Sequence, residues 1–219
     1  MTAPDEDKDG TGRRPGYASP PCLMHEQDPA WSGLSPDDSP EKRVARWRKA
    51  ERQRLIAGRL DALIGDVAGR TVSAYWPFRG EPDLRAWMES VAERGGRCAL
   101  PVVVEKGVPL VFRTWRKGEE LASGVWNIPV PAGGAEVVPD VVIAPVVGFD
   151  RGAWRLGYGG GFFDRTLASL PTRPLAIGVG YAMQEVDTIY PQPHDIPMTV
   201  IATEQELISP PSGRDGGPR

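Results

Sequence analysis

The sequence predicts an α/β fold: a three-layer open sheet, mostly parallel, with helices on both faces and an added hairpin. Three observations carry that expectation. Short runs rich in β-branched and aromatic residues alternate with longer helical stretches, as a layered α/β domain requires. Val141-Val142-Ile143-Ala144 is a continuous apolar run, suited to a central strand buried on both faces. A glycine-rich loop then leads directly into another helical stretch, the usual passage from strand to helix in such folds.

Taken in order, residues 42–63 form the first expected helix. They lack proline, hold glycine only at Gly58, and are dense in Arg, Lys, Glu, Ala and Leu. Ser39 offers a cap and Pro40 fits the first turn. A strand is expected over 71–76 and a helix over 82–93, closed by Gly95-Gly96. The span 97–104 reads as a strand, and 108–115 as its hairpin partner across Lys106-Gly107. After the strand at 141–144 come a helix over 162–170, a buried strand over 175–181 and a short last strand over 199–203.

Length and composition bound the rest. A chain of 219 residues suits one sizeable domain with tails. Residues 1–40 read as a disordered tail and an extended arm (17–31), 41–208 as a single catalytic α/β domain, and 209–219 as a second disordered tail. The net charge of −3 gives no global basic field for nucleic acid, so an anion site must be local. Two cysteines far apart, Cys22 and Cys98, and no export-like start suggest a reducing cytoplasm. Apolar runs are only a few residues long, which argues against a membrane span. Cys22 and His25 share a metal-ligand spacing, but with 2 Cys and 2 His in all, a docked arm is the preferred reading.

The chemistry concentrates in Arg155-Leu156-Gly157-Tyr158-Gly159-Gly160-Gly161-Phe162-Phe163-Asp164-Arg165. Four glycines among five residues leave backbone N–H groups free to converge on an anion, so the loop is either a phosphate cradle or a close strand-to-helix turn. Arg155 and Arg165 could supply charge to a polyphosphate, and Asp164 could hold Mg²⁺. The pattern matches neither the GxxxxGKS/T loop nor a clean GxGxxG with its ribose acid.

The span 140–165, DVVIAPVVGFDRGAWRLGYGGGFFDR, resembles the signature of the 5-formyltetrahydrofolate cyclo-ligase family. The tracts GVWNIPVP at 124–131 and PHDIPMTVIATE at 193–204 are similar to further family elements. The resemblance implies ATP- and Mg²⁺-dependent cyclisation of 5-formyltetrahydrofolate to 5,10-methenyltetrahydrofolate, with release of ADP and phosphate. It implies that Arg155, Gly157, Tyr158, Gly159, Gly160, Gly161, Phe162, Phe163 and Arg165 hold ATP, with Arg155 and Asp164 catalytic. Asp164 and Asp195 would take the metal. Glu81, in Tyr75-Trp76-Pro77-Phe78-Arg79-Gly80-Glu81, would contact the pterin or else be an exposed helix-start acid. Tyr75 and Trp126 would border the same substrate. Lys42 and Arg46, four apart on one helical face, resemble a phosphate-directed pair or form a solvated basic face. Asp150 would shape the approach to the glycine loop, and His194 would play a structural or metal-supporting part.

The expected partners are a reduced folate and ATP, with no nucleic acid and no membrane, and a monomer as the working unit. Two alternatives remain open at this point: a non-catalytic folate- or nucleotide-binding regulatory homologue, and an ATP-dependent enzyme acting on another formylated substrate.

Overall fold

The computed structural model describes residues 39–211. The expectations for the two tails, the 17–31 arm, Cys22 and His25 lie outside these residues, apart from 209–211. The described residues fall into two units, the first ending at Val44 and the second beginning at Ala45. In the first, Ser39 caps the opening helix α1 (Pro40–Ile64): Lys42 N–H donates to its Oγ at 3.4 Å and Arg43 N–H to its carbonyl at 3.1 Å.

The second unit is built on one eight-stranded sheet. Its strands in chain order are β1 (Thr71–Ser73), β2 (Arg97–Val102), β3 (Val111–Thr114), β6 (Glu136–Val137), β7 (Val141–Pro145), β10 (Leu175–Val179), β11 (Val200–Ala202) and β12 (Leu207–Ile208). Two small hairpins stand apart from it, β4 (Leu121–Ser123) with β5 (Pro129–Pro131), and β8 (Gly148–Phe149) with β9 (Arg155–Leu156). The helices α2 (Arg85–Glu93) and α3 (Phe162–Ser169) complete the set.

The spatial order is β12-β11-β10-β7-β1-β2-β3-β6. The inner five strands, β11 to β2, are all parallel, while β12 pairs antiparallel with β11 on one side, and on the other β3 pairs antiparallel with β2 and β6 antiparallel with β3. The parallel core with its expected β2–β3 hairpin is thus present. The sheet also gains short antiparallel edges, which limit the exposed hydrogen-bonding rim.

The period of two along each strand sorts the core into two layers. Val72, Leu100, Val141, Ile143, Ile177 and Val200 face one layer with Ile56, Leu60 and Ile64 of α1 and Trp87, Met88 and Val91 of α2. Ala144, Ala176 and Ile201 face the other, where Phe163 and Leu167 of α3 also pack against Val142 and Phe112. The four residues 141–144 are fully buried because β7 has neighbours on both faces. In α1 the buried residues recur every four, Ile56, Leu60 and Ile64, so only the second half of this polar helix carries a stripe that packs.

α2 begins three residues later than expected. Pro82, Asp83 and Leu84 lead into it, with Asp83 Oδ1 accepting from Arg85 N–H at 3.1 Å. Gly95 and Gly96 end it as expected, their N–H groups donating to Ala92 and Val91 carbonyls at 3.1 and 3.0 Å. Among the described residues no helix is long and apolar enough to cross a membrane.

One buried side chain ties the glycine-loop helix to the sheet. Thr166, 1% exposed, accepts the Leu110 N–H at 2.8 Å and donates to the Phe162 carbonyl at 2.6 Å. Thr166→Val keeps the shape but orphans a buried N–H, so stability should fall by about 1 to 3 kcal/mol. Urea unfolding checks the loss, and amide exchange should show reduced protection at Leu110. A variant as stable as the parent would show that this bond contributes nothing net.

Candidate active site

The order of the parallel strands reverses between β1 and β7. From β1 the chain goes outward through α2 to β2, then returns to β7 on the other side of β1 and continues to β10 and β11. Ligand clefts in open α/β sheets form where such a reversal parts the connections at the carboxyl ends of the strands. A cavity lies there. Its wall is drawn from the loop after β1, the ends of β2 and β7, the β4–β5 hairpin and the glycine loop.

The loop after β1 is fixed by its own side chains. Tyr75, 3% exposed, lines the cavity with its ring, while its hydroxyl donates to the Pro82 carbonyl at 2.8 Å. The hydroxyl is therefore an anchor for the loop, and the ring is the part that faces the cavity. Phe78 and Glu81 bond reciprocally: Phe78 N–H donates to Glu81 Oε2 at 2.8 Å, and Glu81 N–H donates to the Phe78 carbonyl at 3.1 Å. Glu81 is 8% exposed and lines the cavity. Burial raises its pKa to about 7, partly opposed by the Phe78 N–H.

The glycine loop runs from β9 into α3. Gly159 and Gly161 take φ +81° and +59°, a region that costs glycine little. Gly161 is the N-cap and supplies no side-chain cap, so the first N–H groups of α3 lack the usual side-chain acceptor. Gly160 is constrained differently, since a Cβ there would meet the Phe162 ring at 2.7 Å.

Two arginines brace the loop. Arg155 donates to Asp164 Oδ2 at 2.8 Å, with its side chain 5% exposed and its guanidinium 5.1 Å above the Phe163 ring. Burial lowers its pKa, while the charges of Asp164 and Asp195 act in the opposite direction. Arg165 donates to the Gly160 carbonyl and lies 5.5 Å above the Phe162 ring. Nε of both arginines is buried without a hydrogen-bond partner among the described residues. A buried cationic donor left unmatched at the mouth of a helix is suited to an anionic oxygen.

Asp164 also accepts the Ile196 N–H on Oδ1 at 3.3 Å, so the segment bearing Asp195 is tied to the glycine-loop helix. Asp195 Oδ2 accepts the Gln192 N–H at 2.7 Å, and Oδ1 lies 3.7 Å from the largely exposed His194. The described residues contain no cluster of three or more potential metal-ligating side chains. Asp150, 6% exposed, accepts N–H groups of Gly152, Trp154 and Ile189 at 2.9, 3.3 and 3.2 Å. Its place is to hold the turn after β8 against the segment that leads to Asp195.

Lys42 is exposed on the first turn of α1, in the unit that ends at Val44. Arg46 is exposed on the next turn and is absent from the cavity wall. Trp126 does reach the cavity, half-exposed and at φ +58°. It stacks on Phe78 with ring centres 6.4 Å apart and planes 12° apart, and both rings meet Tyr158 edge-on at 6.3 and 5.8 Å. Sequence reasoning singled out Trp126 and Tyr158 but not Phe78, whose only signal was its place in the tract before Glu81.

These features define an open α/β protein with a ligand cleft at its strand-order reversal, apolar on one side and lined by a glycine loop on the other. The chain belongs to the 5-formyltetrahydrofolate cyclo-ligase family, whose sequence model matches residues 39–204. It is 32% identical over 190 residues to a 5-formyltetrahydrofolate cyclo-ligase of Mycolicibacterium smegmatis, covering 80% of this chain and 98% of that relative. It is 32% identical over 150 residues to the cyclo-ligase of Escherichia coli K12, covering 64% and 81%. Among solved structures it resembles the 5,10-methenyltetrahydrofolate synthetase of Aquifex aeolicus, with TM-score 0.63, 27% identity and coverage of 78% and 89%. The fold is shared as well with the synthetase of Mycoplasma pneumoniae at TM-score 0.58 and 20% identity, over 80% and 92%.

Glu81 gives the site a pH signature. Folded, it keeps its proton up to about pH 7, whereas unfolded it loses the proton near 4.5. Between those values the unfolded state binds fewer protons, so stability should fall as pH rises through the window. Glu81→Gln, neutral throughout, should remove that part of the decline. Unfolding midpoints of both proteins from pH 4.5 to 8 check this, and parallel curves would contradict it.

Proposed function

We propose that this protein catalyses the ATP- and Mg²⁺-dependent cyclisation of 5-formyltetrahydrofolate to 5,10-methenyltetrahydrofolate, releasing ADP and phosphate. The observation that carries the reading is the meeting of an apolar, aromatic-walled cavity with a glycine loop in one cleft, in a chain of this family. The cavity suits a flat pterin, and Glu81 supplies the acceptor for its amino and ring N–H edge. That carboxylate accepts best when ionised, so folate should bind more tightly as pH rises through 7.

On the other side, the opening N–H groups of α3, with the guanidinium charges of Arg155 and Arg165 beside them, are suited to phosphate oxygens. In the reaction, the γ-phosphoryl group of ATP passes to the formyl oxygen. N10 then attacks the activated formyl carbon and gives up its proton, and phosphate leaves to give the methenyl bridge. Phosphoryl transfer asks mainly for positioning and for neutralisation of charge. Arg155, buried and held by Asp164, meets both needs, because its geometry is set before the nucleotide arrives.

A magnesium ion, held by protein carboxylates, would supply positive charge to offset that of the phosphates. Mg²⁺ usually takes only one or two protein carboxylates, so the lack of a larger acidic cluster among the described residues is compatible with it. Asp164 and Asp195 would hold it: each of their hydrogen-bonded oxygens retains a lone pair, and Asp195 Oδ1 accepts no hydrogen bond among the described residues.

Purified protein given ATP, Mg²⁺ and 5-formyltetrahydrofolate should form the methenyl product, seen by its absorbance, with one ADP released per turnover. Nucleotide and folate binding without turnover would instead favour a regulatory homologue. Asp164→Asn and Asp195→Asn should each lower turnover by several powers of ten, with partial recovery at raised Mg²⁺. The double variant should lose much less than the product of the two losses, because both act through one ion. Fully multiplicative losses across a magnesium series, measured on folded protein, would separate the two acids.

A further inference from the structure

The turn that closes the loop after β1 holds a non-glycine residue, Arg79, in the left-handed region. Arg79 and Gly80 have φ +47° and +88°, and the Glu81 N–H closes the turn onto the Phe78 carbonyl at 3.1 Å. Two central residues with positive φ mark a type I′ turn, where Gly, Asn and Asp are favoured. Glycine fills the second position, but the first holds an arginine whose Cβ crowds the backbone. Strain kept beside a binding site directs attention to the side chain that is held there.

That side chain sits at the rim of the cavity. Its guanidinium lies 4.9 Å from the Phe78 ring centre and 5.8 Å from that of Tyr158, two rings of the cavity wall. Arg79 is exposed and forms no ion pair among the described residues. The nearest acid in sequence, Glu81, is committed to the Phe78 N–H. Stacking on two rings thus fixes a cation at the rim while its N–H donors remain available.

We propose that Arg79 is a specificity-determining residue that binds the carboxylates of the folate's glutamate tail, an inference that rests on the cyclo-ligase reading above. A reduced folate joins a flat pterin, through an aminobenzoyl ring, to a tail of one or more glutamates. With the pterin edge at Glu81, the tail must leave through the aromatic rim. There a planar guanidinium can take a carboxylate through two hydrogen bonds.

The test is calorimetric titration of wild type and Arg79→Asn with three ligands: 5-formyltetrahydrofolate bearing one glutamate, its γ-linked triglutamate, and the tail-less 5-formyltetrahydropterin. Asn suits the left-handed position, so the variant should melt no lower than wild type. Its Kd should rise about fivefold for the monoglutamate and more for the triglutamate, with the difference shrinking at high salt. Binding of the tail-less pterin should be unchanged. Equal Kd values for wild type and variant with both tailed ligands would overturn the proposal, as would an equal loss with the tail-less one. A wild type that binds none of the three would overturn the cyclo-ligase reading itself.

Discussion

The architecture depends on one topological constraint: neighbouring parallel strands β1 and β7 send their chains to opposite faces of the sheet. From β1 the path leads to α2, packed with α1 against Val72 and Ile143; from β7 it leads to α3, packed against Ala144 and Val142. The two connections part above the strand ends and leave a crevice that neither helix fills. Each side of the crevice inherits its chemistry from the connection that forms it. The loop after β1 brings aromatic rings and one buried acid, and the path from β7 brings glycines, arginines and a helix N-terminus.

The electrostatics of the cleft follow from its depth. Glu81 and Arg155 are both ionisable groups in poorly solvated surroundings, and burial disfavours the charged form of each. Their partners differ. Glu81 has a single N–H and keeps a proton near neutrality, so its surroundings are poised to respond to a ligand that brings further donors. Arg155 has a carboxylate at 2.8 Å and the nearby charge of Asp195. A buried ion pair of this kind is weak evidence for stability, because desolvation offsets most of the Coulomb attraction. What it fixes is position: Arg155 at the start of β9 and Asp164 in the first turn of α3 clamp the glycine loop between them.

Much of this was legible in the sequence. The two-sided burial of β7 showed in its unbroken apolar run, and the glycine loop announced its own place before a helix. Both rest on local patterns of one residue type. The short strands β4, β5, β6, β8, β9 and β12 were not legible, because they are two or three residues long and, unlike the equally short β1 and β11, do not lie in a β-branched, apolar run. The strand expected over 71–76 ends at Ser73 in pairing terms, since Tyr75 and Glu81 hold the following residues in a loop that alternation alone cannot distinguish from a strand. Phe78 and Arg79 escaped notice for a related reason. Their place at the cavity depends on the left-handed turn at 79–80 and on rings supplied by Trp126 and Tyr158, more than 40 residues away in the chain.

On the function proposed above, the glycine loop and the aromatic cavity are two halves of one ligand site, the loop for nucleotide and the cavity for folate. A valine at Gly160 would press on the Phe162 ring and fill space beside the α3 N-terminus, while leaving Glu81 and the loop after β1 untouched. The most direct measurement is calorimetric titration of Gly160→Val with a non-hydrolysable ATP analogue and, separately, with 5-formyltetrahydrofolate. The account predicts a folded variant that no longer binds the nucleotide and still binds the folate. Nucleotide affinity equal to that of wild type would contradict it and remove the glycine loop from the site.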